Sequence, residues 1–392
     1  MTLPLDGIRV VDLTQVMAGP FCTLLLADLG ADVIKVEPPG RGDLSRSRGG
    51  EGLRMKGDDH APFLALNRYK RSVALDLKDP EGLRAFYRLV RTADVVVENF
   101  RPGVTDRLGV GYADLAELSP RIVYASISGF GQSGPYAGRP GFDLIAQAMS
   151  GILSVTGTPG GEPVKCGVPI SDLAAGLYGV VGIQAALLAR THTGRGQHVE
   201  TSLFEAALGL SVWETTEYWA TGEVPRAWGS AHRLNAPYQA FRTSDGFLVL
   251  AALTHRQWAD LCSALARADL RDDSRFATNE ARMANLADLV EEVEKILTGA
   301  PTEVWVERLL EAGVPAAPLL DYAQVFADPH TRARRMVEEV DHPVEGRVPT
   351  LGFPLKMTDT PLRVRRPPPL LGEHTDEVLR EVGALPSPED GG

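Results

Sequence analysis

The sequence predicts an α/β protein, with a Rossmann-like large domain built on a parallel sheet and a second, smaller α+β domain. Three observations lead there. Short apolar runs alternate with helical stretches from the N-terminus onward, which is the pattern of βαβ units and of a largely parallel sheet. The composition shifts at Thr221-Gly-Glu-Val-Pro-Arg226, and a hairpin-like pattern follows. The length, 392 residues, suits two or three domains.

The elements follow in order. Ile8–Leu13 is a short apolar strand. Ala18-Gly-Pro20 opens a helix that runs to about Leu29, with Pro20 in its first turn and Gly30 closing it. Asp32–Glu37 is the next strand, and Pro38–Asp43 is a loop by composition. Further strands fall at Ser72–Leu77, Asp94–Glu98 and Ile122–Ser128, with helices near Glu81–Arg91 and Tyr112–Leu118. Phe142–Ala148 reads as helical, and Gly157–Gly161 is a glycine-rich turn. A helix follows Asp172. Its Ala175, Gly179, Gly182 and Ala186 form a stripe of small residues against which another backbone can pack. His198–Ser202 reads as a strand and Phe204–Trp219 as one long apolar helix. The smaller domain carries a hairpin over Ala240–Leu253 around Ser244-Asp-Gly246, then helices to Leu297 and another over Thr302–Ala312. Val348–Met357 returns to strands and loops. Arg366-Pro-Pro-Pro369 can be neither a helix interior nor a central strand. A last helix begins near Leu371, and Pro386–Gly392 is expected to fray.

Composition narrows the function. A hydrophobic fraction of 44% and a charged fraction of 23% are ordinary for a globular protein. The net charge of −11 argues against nucleic acid or an anionic membrane as partner, though not against a small anion held by local Arg and Lys. Cys22, Cys166 and Cys262 are odd in number, far apart and without a C-x-x-C pair. That disfavours a disulfide framework or a metal site and suits a reducing, cytoplasmic compartment. The N-terminus lacks the charged and apolar regions of a signal peptide. The stretch from about Leu173 to Ala189 contains Gln184 and is short for a membrane span, so a buried helix is expected. The first βα turn, Thr14–Pro20, has one glycine where a dinucleotide fingerprint needs three. Glu37 ends the second strand, where it could hold a ribose or simply be exposed. Gly129-Phe-Gly-Gln-Ser-Gly134 is not the G-x-S-x-G of a serine hydrolase.

Asp172 is the strongest single candidate for chemistry. It follows a Pro-containing turn, Cys166–Ser171, and precedes very small residues. As an N-cap it would accept backbone N–H groups and stay ionised. As a nucleophile it would attack an activated acyl group. The residues alone allow both.

Several runs in order resemble the family III CoA-transferases, the CaiB/BaiF group. They are Leu5–Asp12, Ala18–Pro20, Leu29–Glu37, Asn67–Ser72, Val97–Gly103, Thr193–Gln197, Gly313–Pro315 and Leu371–Thr375. The resemblance runs from about residue 3 to residue 382, and its pattern is nearest the succinyl-CoA:dicarboxylate branch. It implies a Rossmann-like, CoA-binding large domain from residues 1–205 and 330–392, a linker over 206–225, a small domain over 226–312 and a return linker over 313–329. It also implies an interlocked homodimer.

The family's nucleophilic Asp falls on Asp172. CoA would move from an acyl-CoA donor, expected to be succinyl-CoA, to a free carboxylic acid, expected to be a small dicarboxylate. The path runs through aspartyl anhydrides and an aspartyl-CoA thioester. It needs no metal and no permanently bound cofactor, since the CoA thioester is itself the substrate. The resemblance puts Val16, Asn99, Arg107 and Arg139 on the CoA side. Arg41 is a further candidate whose alternative is a solvated surface charge. Gln15, Met17, Phe142 and His232 are candidates for the substrate pocket. Phe142 could instead be core, and His232 structural. The family's oxalate enzyme has Gln where this chain has Met17, which speaks against oxalate.

The nearest rival is an α-methylacyl-CoA racemase, whose chemistry needs an acid and a base on opposite faces of the α-carbon. Its His falls on Phe142, which cannot move a proton. A non-catalytic CoA-binding protein is the remaining alternative.

Overall fold

The computed structural model describes residues 2–385, so the expected fraying of Pro386–Gly392 lies outside the described residues. The chain forms two compact units. The larger comprises residues 1–153, 165–223 and 329–392, and the smaller 154–164 and 224–328.

The larger unit is built on six strands: β1 (Arg9–Asp12), β2 (Asp32–Glu37), β3 (Arg71–Ala74), β4 (Val95–Glu98), β5 (Val123–Ser128) and β6 (His198–Ser202). Their order is β3-β2-β1-β4-β5-β6, and every pairing is parallel. The order reverses between β1 and β4, where Val10 pairs with Val33 on one side and Val95 on the other. In such sheets ligands bind in the crevice outside the carboxyl ends of the strands at this point.

The β-branched runs explain why the inner strands β1, β2, β4 and β5 are covered on both faces. Alternate side chains face opposite layers. Val10, Val33, Val95 and Val97 join one core, while Val11, Ile34 and Val96 join the other with Phe86 and Leu89. The first core is closed by α1 (Ala18–Asp28), and by a helix that spans Ile170–Thr193. A β-carbon added at Gly176 would lie 2.9 Å from the Ala18 carbonyl oxygen, and one at Gly179 3.0 Å from Cys22 Sγ. The small residues are there because the two backbones touch. By length and apolarity alone the Ile170–Thr193 helix could cross a membrane. In this unit its buried face packs on α1 and the sheet.

Some expectations change. Phe204–Trp219 is not one helix but two, Leu203–Leu210 and Val212–Thr221. Ser211 breaks the run. Its Oγ donates back to the Ala207 carbonyl at 3.4 Å, and its ψ of 36° leaves the helical range. Residues 206–225, expected as a linker, are therefore largely helical.

The smaller unit has a three-stranded antiparallel sheet, in the order β7 (Tyr238–Arg242), β8 (Phe247–Ala251), β9 (Ala316–Pro318). The hairpin read at Ser244-Asp-Gly246 is β7–β8. Helices around Trp258, Leu289 and Leu309 cover it. This unit also takes in Ser154–Val164 and extends to Asp328.

Candidate active site

A cavity of about 350 Å³ opens at the carboxyl ends of β1, β4, β5 and β6. Its lining includes Gln15, Val16, Met17, Asn99, Arg101, Arg139, Phe142 and Asp172, all from the larger unit. It sits at the reversal of strand order, where the sheet topology favours a ligand site.

The turn after β1 forms one wall. The Asn99 carboxamide accepts from Gln15 N–H at 2.8 Å and donates to the Gln15 carbonyl at 2.7 Å. Both ends of that amide are thus spent on fixing Gln15. Val16 has a φ of 72°, the left-handed region, which is costly for a β-branched residue. Its N–H donates to Asp43 Oδ1 at 3.1 Å. Asp43 and Lys35 are fully buried, with Nζ 2.9 Å from Asp43 Oδ2. Burial is the largest single influence and would raise the Asp43 carboxyl, but Lys35 together with the Ser45 and Val16 N–H donors holds it down to about 2. Glu37 is neither exposed nor free for a ribose. It is buried against the Arg46 guanidinium, with contacts of 2.8 Å, and accepts from Ser72 Oγ at 2.7 Å.

The opposite wall depends on two glycines. A β-carbon on Gly129 would lie 2.6 Å from the Gly141 Cα, so the Phe142 segment can cross directly over the end of β5. This brings Asp143 to the start of the Ile170–Thr193 helix. Asp143 Oδ1 accepts from Ser171 N–H at 2.9 Å, and its Oδ2 from Gln147 Nε2 at 2.6 Å. Gln147 Oε1 in turn accepts from Cys166 N–H at 2.9 Å.

This arrangement corrects the reading of Asp172 as an N-cap. The helix begins at Ile170 after Pro169, which has no side chain able to cap it. Asp172 lies in the first turn, half-buried, and its carboxyl makes no hydrogen bond among the described residues. With the helix starting two residues before it, Asp172 lies too far in to cap it, and the free N–H of Ser171 at this end goes to Asp143 instead. The expectation of a fully ionised Asp172 also fails. Burial first, and the Asp143 charge second, push its carboxyl up to about 7. The helix end opposes this by roughly 0.3–1 kcal/mol, less than one pH unit of titration. At neutral pH the group is divided between acid and carboxylate. Once ionised it is unsolvated by donors and open to an electrophile.

Seven of the candidates therefore share one cavity: Gln15, Val16, Met17, Asn99, Arg139, Phe142 and Asp172. Phe142 is 69% exposed and is not core. Arg139 lies over the Tyr136 ring at 3.8 Å. Arg41 and Arg107 are exposed and are not among the lining residues. His232 belongs to the smaller unit, where it stacks on Tyr238 with ring centroids 5.1 Å apart. The reading of the sequence missed Arg101, which lies two residues after Asn99 and lines the cavity. It also missed Asp43 and Asp143. Their contacts join segments distant in sequence, and no local pattern marks them. Among the described residues no group of three or more His, Cys, Asp or Glu could hold a metal.

Comparison with known proteins gives a consistent relationship. The model of CoA-transferase family III matches residues 5–375. A succinate–glutarate CoA-transferase of Agrobacterium fabrum is 42% identical, over 97% of this chain and 96% of its own. An acetyl-CoA:oxalate CoA-transferase of Acetobacter aceti is also 42% identical, over 97% and 96%. Among solved structures, a CaiB/BaiF family protein from Brucella suis superposes with a TM-score of 0.88 at 41% identity, covering 97% of this chain and all of that one.

Proposed function

The chain belongs to CoA-transferase family III, and we propose that it moves CoA from an acyl-CoA, with succinyl-CoA as donor, to a small dicarboxylate through Asp172. The observation that carries this reading is the free Asp172 carboxylate in the strand-end cavity.

The ionised Asp172 attacks the donor thioester carbonyl, and CoA thiolate leaves as a mixed anhydride forms. The thiolate then attacks the aspartyl carbonyl. This releases the donor acid as carboxylate and leaves aspartyl-CoA. The acceptor carboxylate attacks that thioester, and CoA thiolate leaves again. The thiolate finally attacks the acceptor's acyl carbon, which yields the new acyl-CoA and restores Asp172. Bond energy is kept in thioester or anhydride throughout, so no nucleotide is spent. Water must be excluded, because it would hydrolyse each intermediate.

The cavity volume suits the reacting end of the thioester and not the whole of coenzyme A. Val16, Asn99, Arg101 and Arg139 would meet the CoA side near the thioester, and the exposed Arg41 and Arg107 would meet its phosphates. Gln15, Met17 and Phe142 would face the acyl groups. The Acetobacter relative is named for oxalate, so oxalate stays among the acceptors to be tested. The racemase alternative lacks a partner base: among the described residues lining the cavity, Asp172 is the one carboxylate and there is no His.

A second copy of this chain would cover the apolar face that the larger unit leaves open. Val181, Leu188, Val212, Trp213 and Trp219 on two helices of this unit are each more than 60% exposed, and large exposed apolar side chains are what a subunit interface would cover. An interlocked homodimer is the proposed arrangement. A monomeric mass by light scattering at micromolar concentration would contradict it.

The test of function is incubation with succinyl-CoA and a panel of glutarate, mesaconate, citramalate, itaconate, oxalate and carnitine. A new acyl-CoA names the acceptor. If no transfer occurs but deuterium enters the α-carbon of a 2-methylacyl-CoA, the racemase reading takes its place.

A further inference from the structure

We infer that Asp43, which does not line the cavity, is a positioning residue for the transfer reaction: it holds Val16 in its left-handed conformation and so sets the wall facing Asp172. The inference rests on Asp172 being the reacting group.

The backbone from Thr14 to Val16 is held by side chains, one of them the nearby Asp12 and the rest from distant segments. Thr14 N–H donates to Asp12 Oδ1 at 2.8 Å, and the Thr14 carbonyl accepts from Lys35 Nζ at 2.7 Å. Gln15 is held at both ends by Asn99. Val16 N–H goes to Asp43 Oδ1. The conformation needs such support. A left-handed residue without glycine's freedom costs on the order of 1–3 kcal/mol and persists only where its surroundings impose it. Val16 obtains little from packing, since its side chain is 49% exposed into the cavity.

Asp43 is fixed in turn. Its Oδ1 also accepts from Ser45 N–H and Ser45 Oγ, each at 2.8 Å, and its Oδ2 pairs with Lys35. The same Lys35 that anchors Asp43 anchors the Thr14 carbonyl. One buried ion pair thus grips the turn on both sides of Gln15. Immediately after the turn, Ala18 opens α1 and also lines the cavity. A shift at Val16 therefore moves the whole wall. Misplacement of about 1 Å at such a wall can cost roughly a hundredfold in rate.

The test is a double-mutant cycle of Asp43→Asn with Val16→Gly, read two ways. Asp43→Asn keeps an acceptor oxygen and is the variant better able to fold, and circular dichroism at the assay temperature verifies that it has. The first reading is hydrogen exchange of the peptide covering residues 13–19. With Val16 present, Asp43→Asn should raise exchange there. In the Val16→Gly background, where glycine adopts a positive φ freely, it should raise exchange much less. The second reading is kcat at saturating acyl-CoA and acceptor. Asp43→Asn should lower kcat about 10- to 100-fold with Val16, with little change in KM, and less than about threefold in the Val16→Gly background. Equal losses in both backgrounds, or unchanged exchange and kcat with Val16, would overturn the positioning role. If the unaltered chain transfers no CoA at all, the reading of Asp172 fails, and the exchange measurement still judges Asp43.

Discussion

Replacing Asp172 by Asn should remove transfer and at the same time stabilise the protein at alkaline pH. The carboxyl titrates near 7 in the folded chain and near 3.8 as an ordinary Asp. Below 3.8 both states hold the proton, and the substitution is neutral. Between 3.8 and about 7 the native state keeps a proton that the unfolded chain has released, so stability falls as pH rises. Above about 7 the full cost is present. At 1.36 kcal/mol per pH unit that span corresponds to roughly 4 kcal/mol. The cavity admits water, so about half of this, ~2 kcal/mol, is the expected gain. For a unit of this size it raises Tm by about 3 °C. Thermal melts of both proteins at pH 4, 6 and 8 measure it. The Tm difference should be close to zero at pH 4 and largest at pH 8. A constant difference, or an Asn variant that melts lower at pH 8, would refute the assignment of a costly buried charge to Asp172.

The same titration should shape activity: kcat/KM for acyl-CoA should rise with pH and level off above about 7, since the ionised form attacks. Asp143→Asn removes the nearby negative charge while keeping an acceptor for Ser171 N–H. The acid limb of that profile should therefore move to lower pH, though not to the ordinary Asp range, because burial is the larger cause. An unmoved limb would show that Asp143 is not coupled to Asp172. Gly176→Ala drives a β-carbon against the Ala18 carbonyl at 2.9 Å. Equilibrium denaturation should show a loss of about 1–3 kcal/mol, and a neutral result would mean that the two helices are not in close contact.

Much of the fold was legible because its signals are local. Asp32–Glu37 and His198–Ser202 were read with the bounds they have, since β-branched runs between turn residues leave little choice. The stripe at Gly179 was visible as spacing, although Gly176, which makes the tighter contact with α1, was not in it. Ser211 was missed because a back-bonded hydroxyl breaks a helix that propensity alone would continue. Asp172 stood out in the sequence as a candidate and lines the strand-end cavity, but the upward push on its carboxyl was not legible. The helix starts before Asp172, and the free N–H at that end, Ser171's, goes to Asp143, which is distant in sequence and meets the helix where Gly129 and Gly141 let two backbones cross. Glu37 illustrates the same limit. Its fate depends on Arg46 and Ser72, which the fold brings to it.

The central claim is covalent catalysis by Asp172, and the most direct test is to trap the intermediate. The protein would be mixed with succinyl-CoA, without acceptor, and quenched with hydroxylamine. The peptide containing Asp172 would then be examined by mass spectrometry. An aspartyl hydroxamate at Asp172, absent without acyl-CoA, is the result expected. Full transfer to an acceptor with Asp172 unmodified throughout would contradict it.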